Sequence, residues 1–317
     1  MTTSWPAAVR IVEVGPRDGL QNEPFPLPVV ARVELILRLV GAGLKSVEAG
    51  AFVSPKRVPQ MDGSAAVLAR VLAGPPPTTG ATAGAVDYPV LVPNLQGFEA
   101  ALAAGAQTVA VFAAASETFS RHNIHCSIAE SLERFRAVAG AARAAGVKLR
   151  GYVSCVAGCP YEGAIVPQAV ARVAAALLAL GCEEISLGDT IGCGTPASIR
   201  RMLEAVLREV PAERLAGHYH DTYGMAVANV YASLEFGVAV FDAAVGGLGG
   251  CPYAPGASGN VATEELVWLF DGLGIATGVD LEALVDTALW IGNRLGRTPG
   301  SRVARAVLAR RAGGSGN

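Results

Sequence analysis

Five times along this chain an Ala/Leu-rich stretch of helical character ends in a small residue and a glycine, and a β-prone run follows at once. The junctions read AGLKSVEAG, AGAQTVAVF, AGVKLRGYV, LGCEEISLG and FGVAVFDAA, with glycines at 43, 105, 146, 181 and 237. Glycine tolerates the left-handed conformation that closes a helix, so each junction hands a finished helix to a new strand. A chain punctuated this way alternates helix and strand, and its strands lie parallel.

Three further apolar runs, at 9–14, 90–94 and 215–220, bring the count to eight strands, with the others at 46–49, 109–113, 149–153, 185–188 and 239–245. Helix starts are marked between them. Ser127 with Glu130 forms a capping box, Thr195 before Pro196 is an N-cap followed by proline at the first helical position, and Pro167 opens a helix. Eight βα units in about 250 residues favour a (β/α)8 TIM barrel, and no GxGxxG follows the first strand to support a doubly wound sheet. Residues 1–262 are expected to form the barrel, including a glycine-rich cysteine loop. Residues 263–311 read as a C-terminal helical appendix, with Thr263 capping EELVWLF, and 312–317 as a disordered tail.

A formal net charge of -2 with no Lys/Arg block leaves no footprint for nucleic acid, and no basic amphipathic stretch suggests a membrane surface. The longest apolar tracts are interrupted by Gly105, Gln107 and Arg172, too early to span a bilayer. The N-terminus has neither a signal core nor an Arg-rich presequence, so a cytoplasmic location is expected. Its six cysteines make no disulfide framework and read as reduced thiols.

In a barrel, chemistry gathers at the C-terminal ends of the strands. Arg17 and Asp18 follow the first strand, Glu48 ends the second, Asp189 follows the sixth, and His218 and His220 close the seventh. Cys251 and Asn260 follow the eighth, inside GGLGGCPYAPGASGN, whose six glycines suit a lid better than a helix or strand. A free cysteine is often just a small buried hydrophobe; here it stands among polar strand ends. His218 and His220 are two apart, so on a strand both imidazoles face the same way and can grip one metal ion. Asp18 and the Asn260 carbonyl add oxygen donors. A mixed nitrogen and oxygen set without thiolate suits six-coordinate Mg2+ or Mn2+ better than closed Zn2+. Such a site can chelate a hydroxy acid, lower its hydroxyl pKa and let the adjacent C–C bond break. Arg17 would then stabilise the enolate oxygen and Cys251 protonate the carbanion, with Glu48 and Asp189 as orienting carboxylates. The alternative for Arg17 is an ion pair that braces the barrel.

The motifs VGPRDGLQNE, FVSPKRVPQM, NIHCSIAES, GYVSCVAGCPYEG, SLGDTIG, HYHDTYG and GGLGGCPYAPGASGNVATE resemble those of the 3-hydroxy-3-methylglutaryl-CoA lyases over nearly the whole chain. These belong to a larger barrel family that includes the isopropylmalate synthases. The resemblance implies cleavage of 3-hydroxy-3-methylglutaryl-CoA to acetyl-CoA and acetoacetate, a step of leucine breakdown and ketone-body formation. It implies metal binding by Asp18, His218, His220 and Asn260, enolate contacts from Arg17, support from Glu48 and Asp189, and proton transfer by Cys251, with His218 helping as acid or base. An acyl-CoA partner follows from it. Barrels of this kind commonly dimerise, so a homodimer is expected, with the helical appendix as its candidate interface.

One departure stands out. After Glu48 the family carries hydroxyl residues, whereas this chain reads Ala49-Gly50-Ala51, and Met225 stands where a polar residue is common. Lost hydroxyls widen and dry the acyl pocket, making a longer or branched 3-hydroxy-3-alkylglutaryl-CoA the alternative substrate. A Claisen condensing enzyme of the isopropylmalate synthase type is a more distant reading, disfavoured by Cys251 and by the lack of a long regulatory domain.

Overall fold

The structure, a computed structural model, describes residues 5–74, 85–250 and 259–314. Its strands are β1 (Arg10–Glu13), β2 (Ser46–Val47), β3 (Gly50–Ala51), β4 (Val90–Leu91), β5 (Thr108–Ala114) and β6 (Lys148–Ser154), then β7 (Gly158–Cys159), β8 (Gly163–Ala164), β9 (Glu184–Asp189), β10 (Leu215–Tyr219) and β11 (Val240–Ala243). Apart from the β7–β8 hairpin they form one parallel sheet in the order β2-β1-β11-β10-β9-β6-β5-β4-β3. Its two ends, β2 and β3, are halves of one chain run, 46–51, so the sheet closes on itself as an eight-stranded barrel.

That run changes partner halfway. Its bonds to β1 stop where Glu48 N–H donates to the Glu13 carbonyl at 2.8 Å, while Ala49 and Phe52 donate to Pro89 and Leu91 on the other side. The Ala51 N–H is met by the Ser64 hydroxyl, not by a strand. Glu48 therefore lies in the interruption of the second strand, which continues to Ala51 instead of ending at Glu48.

The helices are α1 (Val29–Gly41), α2 (Ser64–Leu72), α3 (Leu95–Ala103), α4 (Glu117–Ile124), α5 (Ile128–Ala145) and α6 (Pro167–Leu180), followed by α7 (Pro196–Val206), α8 (Ala226–Leu234), α9 (Thr263–Leu273), α10 (Leu281–Leu295) and α11 (Arg302–Gly314). In α7, Ile199, Met202, Leu203 and Val206 recur at helical spacing and are buried, each contributing about 1.5–3 kcal/mol. The Ser127–Glu130 capping box, the Thr195 cap and Pro167 all stand where the sequence places them. All five junction glycines have positive φ, from 67° to 108°.

Three details differ from expectation. The N-cap of α9 is Ala262, and the Thr263 hydroxyl instead donates to Glu13 at 2.6 Å, because a buried carboxylate beneath the helix outcompetes the free amides. By order α9 is the helix of the eighth βα unit, so the added helices are α10, packed on α1 and α9, and α11, packed on α9 and α10. Finally, α11 runs past 311 to Gly314, and Arg311 within its last turn pairs with Glu282 and Asp286 of α10. Among the described residues no helix is long and apolar enough to cross a membrane.

Candidate active site

The C-terminal ends of the strands surround a cavity of about 1190 Å³. After β1 the chain makes one wide helical turn, Gly15–Gly19, closed by Gly19 N–H on the Val14 carbonyl at 3.1 Å. That turn aims Arg17 and Asp18 into the cavity, buried to 5% and 8% exposure. Arg17 donates from Nε to Glu48 Oε2 at 2.7 Å and from Nη1 to Asp18 Oδ1 at 2.9 Å. Its Nη2 has no partner among the described residues. Burial would raise the Asp18 carboxyl, but Arg17 and two imidazoles overturn that and hold it at about 2. Burial raises Glu48, with Arg17 opposing.

His218 lies near the end of β10 and His220 just beyond it, both facing inward as their spacing of two requires. Their Nε2 atoms are 3.3 Å apart, and Asp18 Oδ2 lies 3.8 Å from His220 Nε2. Asn260 comes from the far side of the glycine-rich run and forms an isolated bridge with His220. Its Nδ2 donates to Asp18 Oδ2 at 2.8 Å and to the Leu248 carbonyl, leaving Oδ1 buried with no partner. Asp18, His218 and His220 offer ligand atoms within 4.8 Å of one another. Two imidazole nitrogens and a carboxylate gathered together, with an orphaned amide oxygen on the residue bonded to that carboxylate, are a donor set that fits a divalent cation.

One expected participant stands elsewhere. The Asp189 carboxylate accepts from the backbone N–H groups of Gly194 and Cys193 at 2.7 and 3.2 Å. On β9 the inward positions are shared by Ser186 and Gly188, so period two turns Asp189 outward onto the following loop. Burial raises its carboxyl to about 6, with those two amides opposing. Cys251 lies outside the described residues. The stem that carries it is described: a side chain on Gly259 (φ 83°) would meet the Gly249 backbone at 2.5 Å, so only glycine lets these two segments touch.

Beneath the cavity lies a buried ionic web that motif reading missed. Arg150 on β6 pairs with Asp242 on β11 and with Glu184, and donates to the Tyr152 hydroxyl at 2.7 Å. Tyr152 in turn donates to Glu48 at 3.2 Å. The signal was available, since LRGYV and VFDAA each hold one charge inside an otherwise apolar strand, which burial permits only with a partner. Glu13 is a third such residue, accepting from Gly15 and Val245 amides and so joining the Arg17 turn to the stem below Cys251.

Residues 8–291 match the HMGL-like family model. A Pseudomonas aeruginosa protein named 3-hydroxy-3-isohexenylglutaryl-CoA/hydroxy-methylglutaryl-CoA lyase is 58% identical over 305 residues, 96% of this chain and 99% of its own. The hydroxymethylglutaryl-CoA lyase of Pseudomonas mevalonii is also 58% identical, over 96% of this chain and 98% of its own. The crystal structure of hydroxymethylglutaryl-CoA lyase from Pseudomonas aeruginosa superposes with a TM-score of 0.91 at 57% identity, over 96% of this chain and 99% of that one. With its barrel, its Asp–His–His cluster and near-complete alignment to these proteins, the chain belongs to the hydroxymethylglutaryl-CoA lyase family.

Proposed function

We propose that this enzyme cleaves 3-hydroxy-3-methylglutaryl-CoA to acetyl-CoA and acetoacetate by a retro-Claisen step that depends on a divalent cation, Mg2+ or Mn2+. The observation that carries this reading is Arg17, which lines the same cavity as the Asp18–His218–His220 cluster and whose Nη2 has no hydrogen-bond partner among the described residues. A cation bound there by Asp18, His218, His220 and Asn260 Oδ1 would act as a Lewis acid toward the substrate oxygens.

The substrate's tertiary hydroxyl loses its proton to a base, the bond between C2 and C3 breaks, and acetoacetate leaves as the ketone. The electron pair remains on the thioester fragment as an enolate, whose oxygen meets the Arg17 guanidinium. Glu48 and Asp18 hold that guanidinium at two of its nitrogens, so it is placed before charge develops. Cys251 then supplies the proton that turns the enolate into acetyl-CoA.

Acetoacetate should form from 3-hydroxy-3-methylglutaryl-CoA with Mg2+ or Mn2+ and stop on chelation. A folded, metal-loaded protein that forms none would overturn the reading.

A second substrate is favoured by a specific observation: Ala51, Leu91 and Phe112 present an apolar wall to the cavity. That wall suits a 3-alkyl group longer than methyl, such as the isohexenyl group in the name of the Pseudomonas aeruginosa relative. Comparing kcat/KM for the methyl and isohexenyl substrates decides between them.

A further inference from the structure

The two site imidazoles are held differently. His218 Nδ1 lies 3.0 Å from Asp242 Oδ2, whereas His220 Nδ1 is buried with no hydrogen-bond partner. Asp242 is itself fully engaged. Its Oδ1 accepts from Arg150 Nη2 at 2.6 Å, and its Oδ2 accepts from Ser186 Oγ at 2.8 Å and Arg150 Nη1 at 3.1 Å. Arg150 is anchored in turn by Glu184 and the Tyr152 hydroxyl.

A carboxylate facing a guanidinium at two contacts is ionised and can only accept. The hydrogen between Asp242 and His218 therefore sits on Nδ1, which in the neutral ring leaves the lone pair of His218 on Nε2. With both rings neutral, only one arrangement makes the 3.3 Å contact between the two Nε2 atoms a hydrogen bond: His220 must carry its hydrogen on Nε2 and donate it to His218. The same arrangement leaves His220 Nδ1 as a bare acceptor, in keeping with its empty surroundings.

We propose that Asp242 is a positioning residue that sets the two imidazoles in opposite tautomers, His218 as Nδ1–H and His220 as Nε2–H, so that only His218 is ready to ligate a cation. His220 must change tautomer before it can ligate, its Nε2 losing a proton to solvent while Nδ1 gains one. The inference rests on the metal-site part of the proposed function and is independent of the substrate.

The test is a long-range proton–nitrogen correlation spectrum of the metal-free wild-type protein with 15N-labelled histidine, at alkaline pH where both rings are neutral. Signals are assigned with His218→Gln and His220→Gln. Opposite tautomers are expected, with His220 converting to Nδ1–H on addition of diamagnetic Mg2+ while His218 stays unchanged. Equal tautomers in the metal-free protein, or His218 protonated on Nε2, would overturn the proposal.

Asp242→Asn, checked for fold by circular dichroism, should weaken Mn2+ binding in calorimetry by about 10–100-fold, the scale for losing an orienting partner of a ligand. Ser186→Ala, which leaves the Asp242–His218 bond in place, should not. Unchanged Mn2+ affinity in a folded Asp242→Asn protein would overturn the proposal, and if that variant does not fold the wild-type spectrum decides. A protein with opposite tautomers that cleaves no thioester would sink the lyase reading and leave this one standing.

Discussion

Asn260 and Asp18, 242 residues apart in the chain, are joined by a 2.8 Å hydrogen bond that spends the amide nitrogen of Asn260 and leaves its oxygen bare. The bond ties the Asn260 amide to the carboxylate of the Asp18–His218–His220 cluster. Asn260→Ala removes that oxygen, and Mn2+ affinity measured by calorimetry should fall by about 10–100-fold with the fold retained. An unchanged affinity would take Asn260 out of the ligand set.

Arg17→Gln should lower kcat by roughly 10²-fold or more, the scale for losing a donor to a developing oxyanion. It also strips Glu48 of its charged partner, and breaking a buried pair from one side costs about 3–5 kcal/mol. Both steady-state kinetics and thermal unfolding are needed; a loss of stability with a normal rate would return Arg17 to a bracing role.

For Cys251→Ala, turnover should drop by orders of magnitude while Mn2+ binding is kept. Near-normal acetoacetate release would mean that another group protonates the enolate.

Stability should depend on pH through two buried carboxylates. Burial pushes Glu264 up to about 8 and Glu13 up to about 7, from 4.5. A group whose folded pKa is raised stabilises the fold fully below its unfolded pKa and loses that contribution as pH rises through the folded one. The wild-type Tm should therefore decline from 4.5 toward 8 and then level off on this account. Glu264→Gln keeps an oxygen for the Gly246 N–H and removes the charge, so its curve should be flatter and gain on wild type as pH approaches 8. Parallel curves would show that Glu264 does not titrate in this range.

Ala51→Leu narrows the apolar wall. Activity on an isohexenyl substrate should fall more than on the methyl one, read as the ratio of kcat/KM; an equal fall would place the alkyl group elsewhere.

The barrel was legible because helix ends and strand starts are local events, written in Gly43, Gly105, Gly146, Gly181 and Gly237 and read without knowing any contact. The gathering of Arg17, Asp18, His218, His220 and Asn260 was legible too, since strand ends meet at one rim in any such barrel. Direction was harder. Asp189 stands at a strand end like the others, yet the two-residue alternation on β9 turns it outward, and fixing that phase requires knowing that Ser186 meets Asp242. Thr263 has the residue type of a cap, and only the fold brings Glu13 beneath it. Arg150 and Asp242 show in the sequence as lone charges in apolar strands, but that each is the other's partner, 92 positions away, only the fold reveals.

The second strand parts from β1 at Glu48, and along the stretch above it the two chains share no ladder bonds among the described residues. What spans that seam is the Arg17–Glu48 ion pair. The barrel is thus buttoned at its rim by the very guanidinium assigned to the reaction. Retuning that charge for a new substrate would also loosen the wall, so change should collect at Ala51, Leu91 and Phe112, which line the same pocket without taking part in that ion pair.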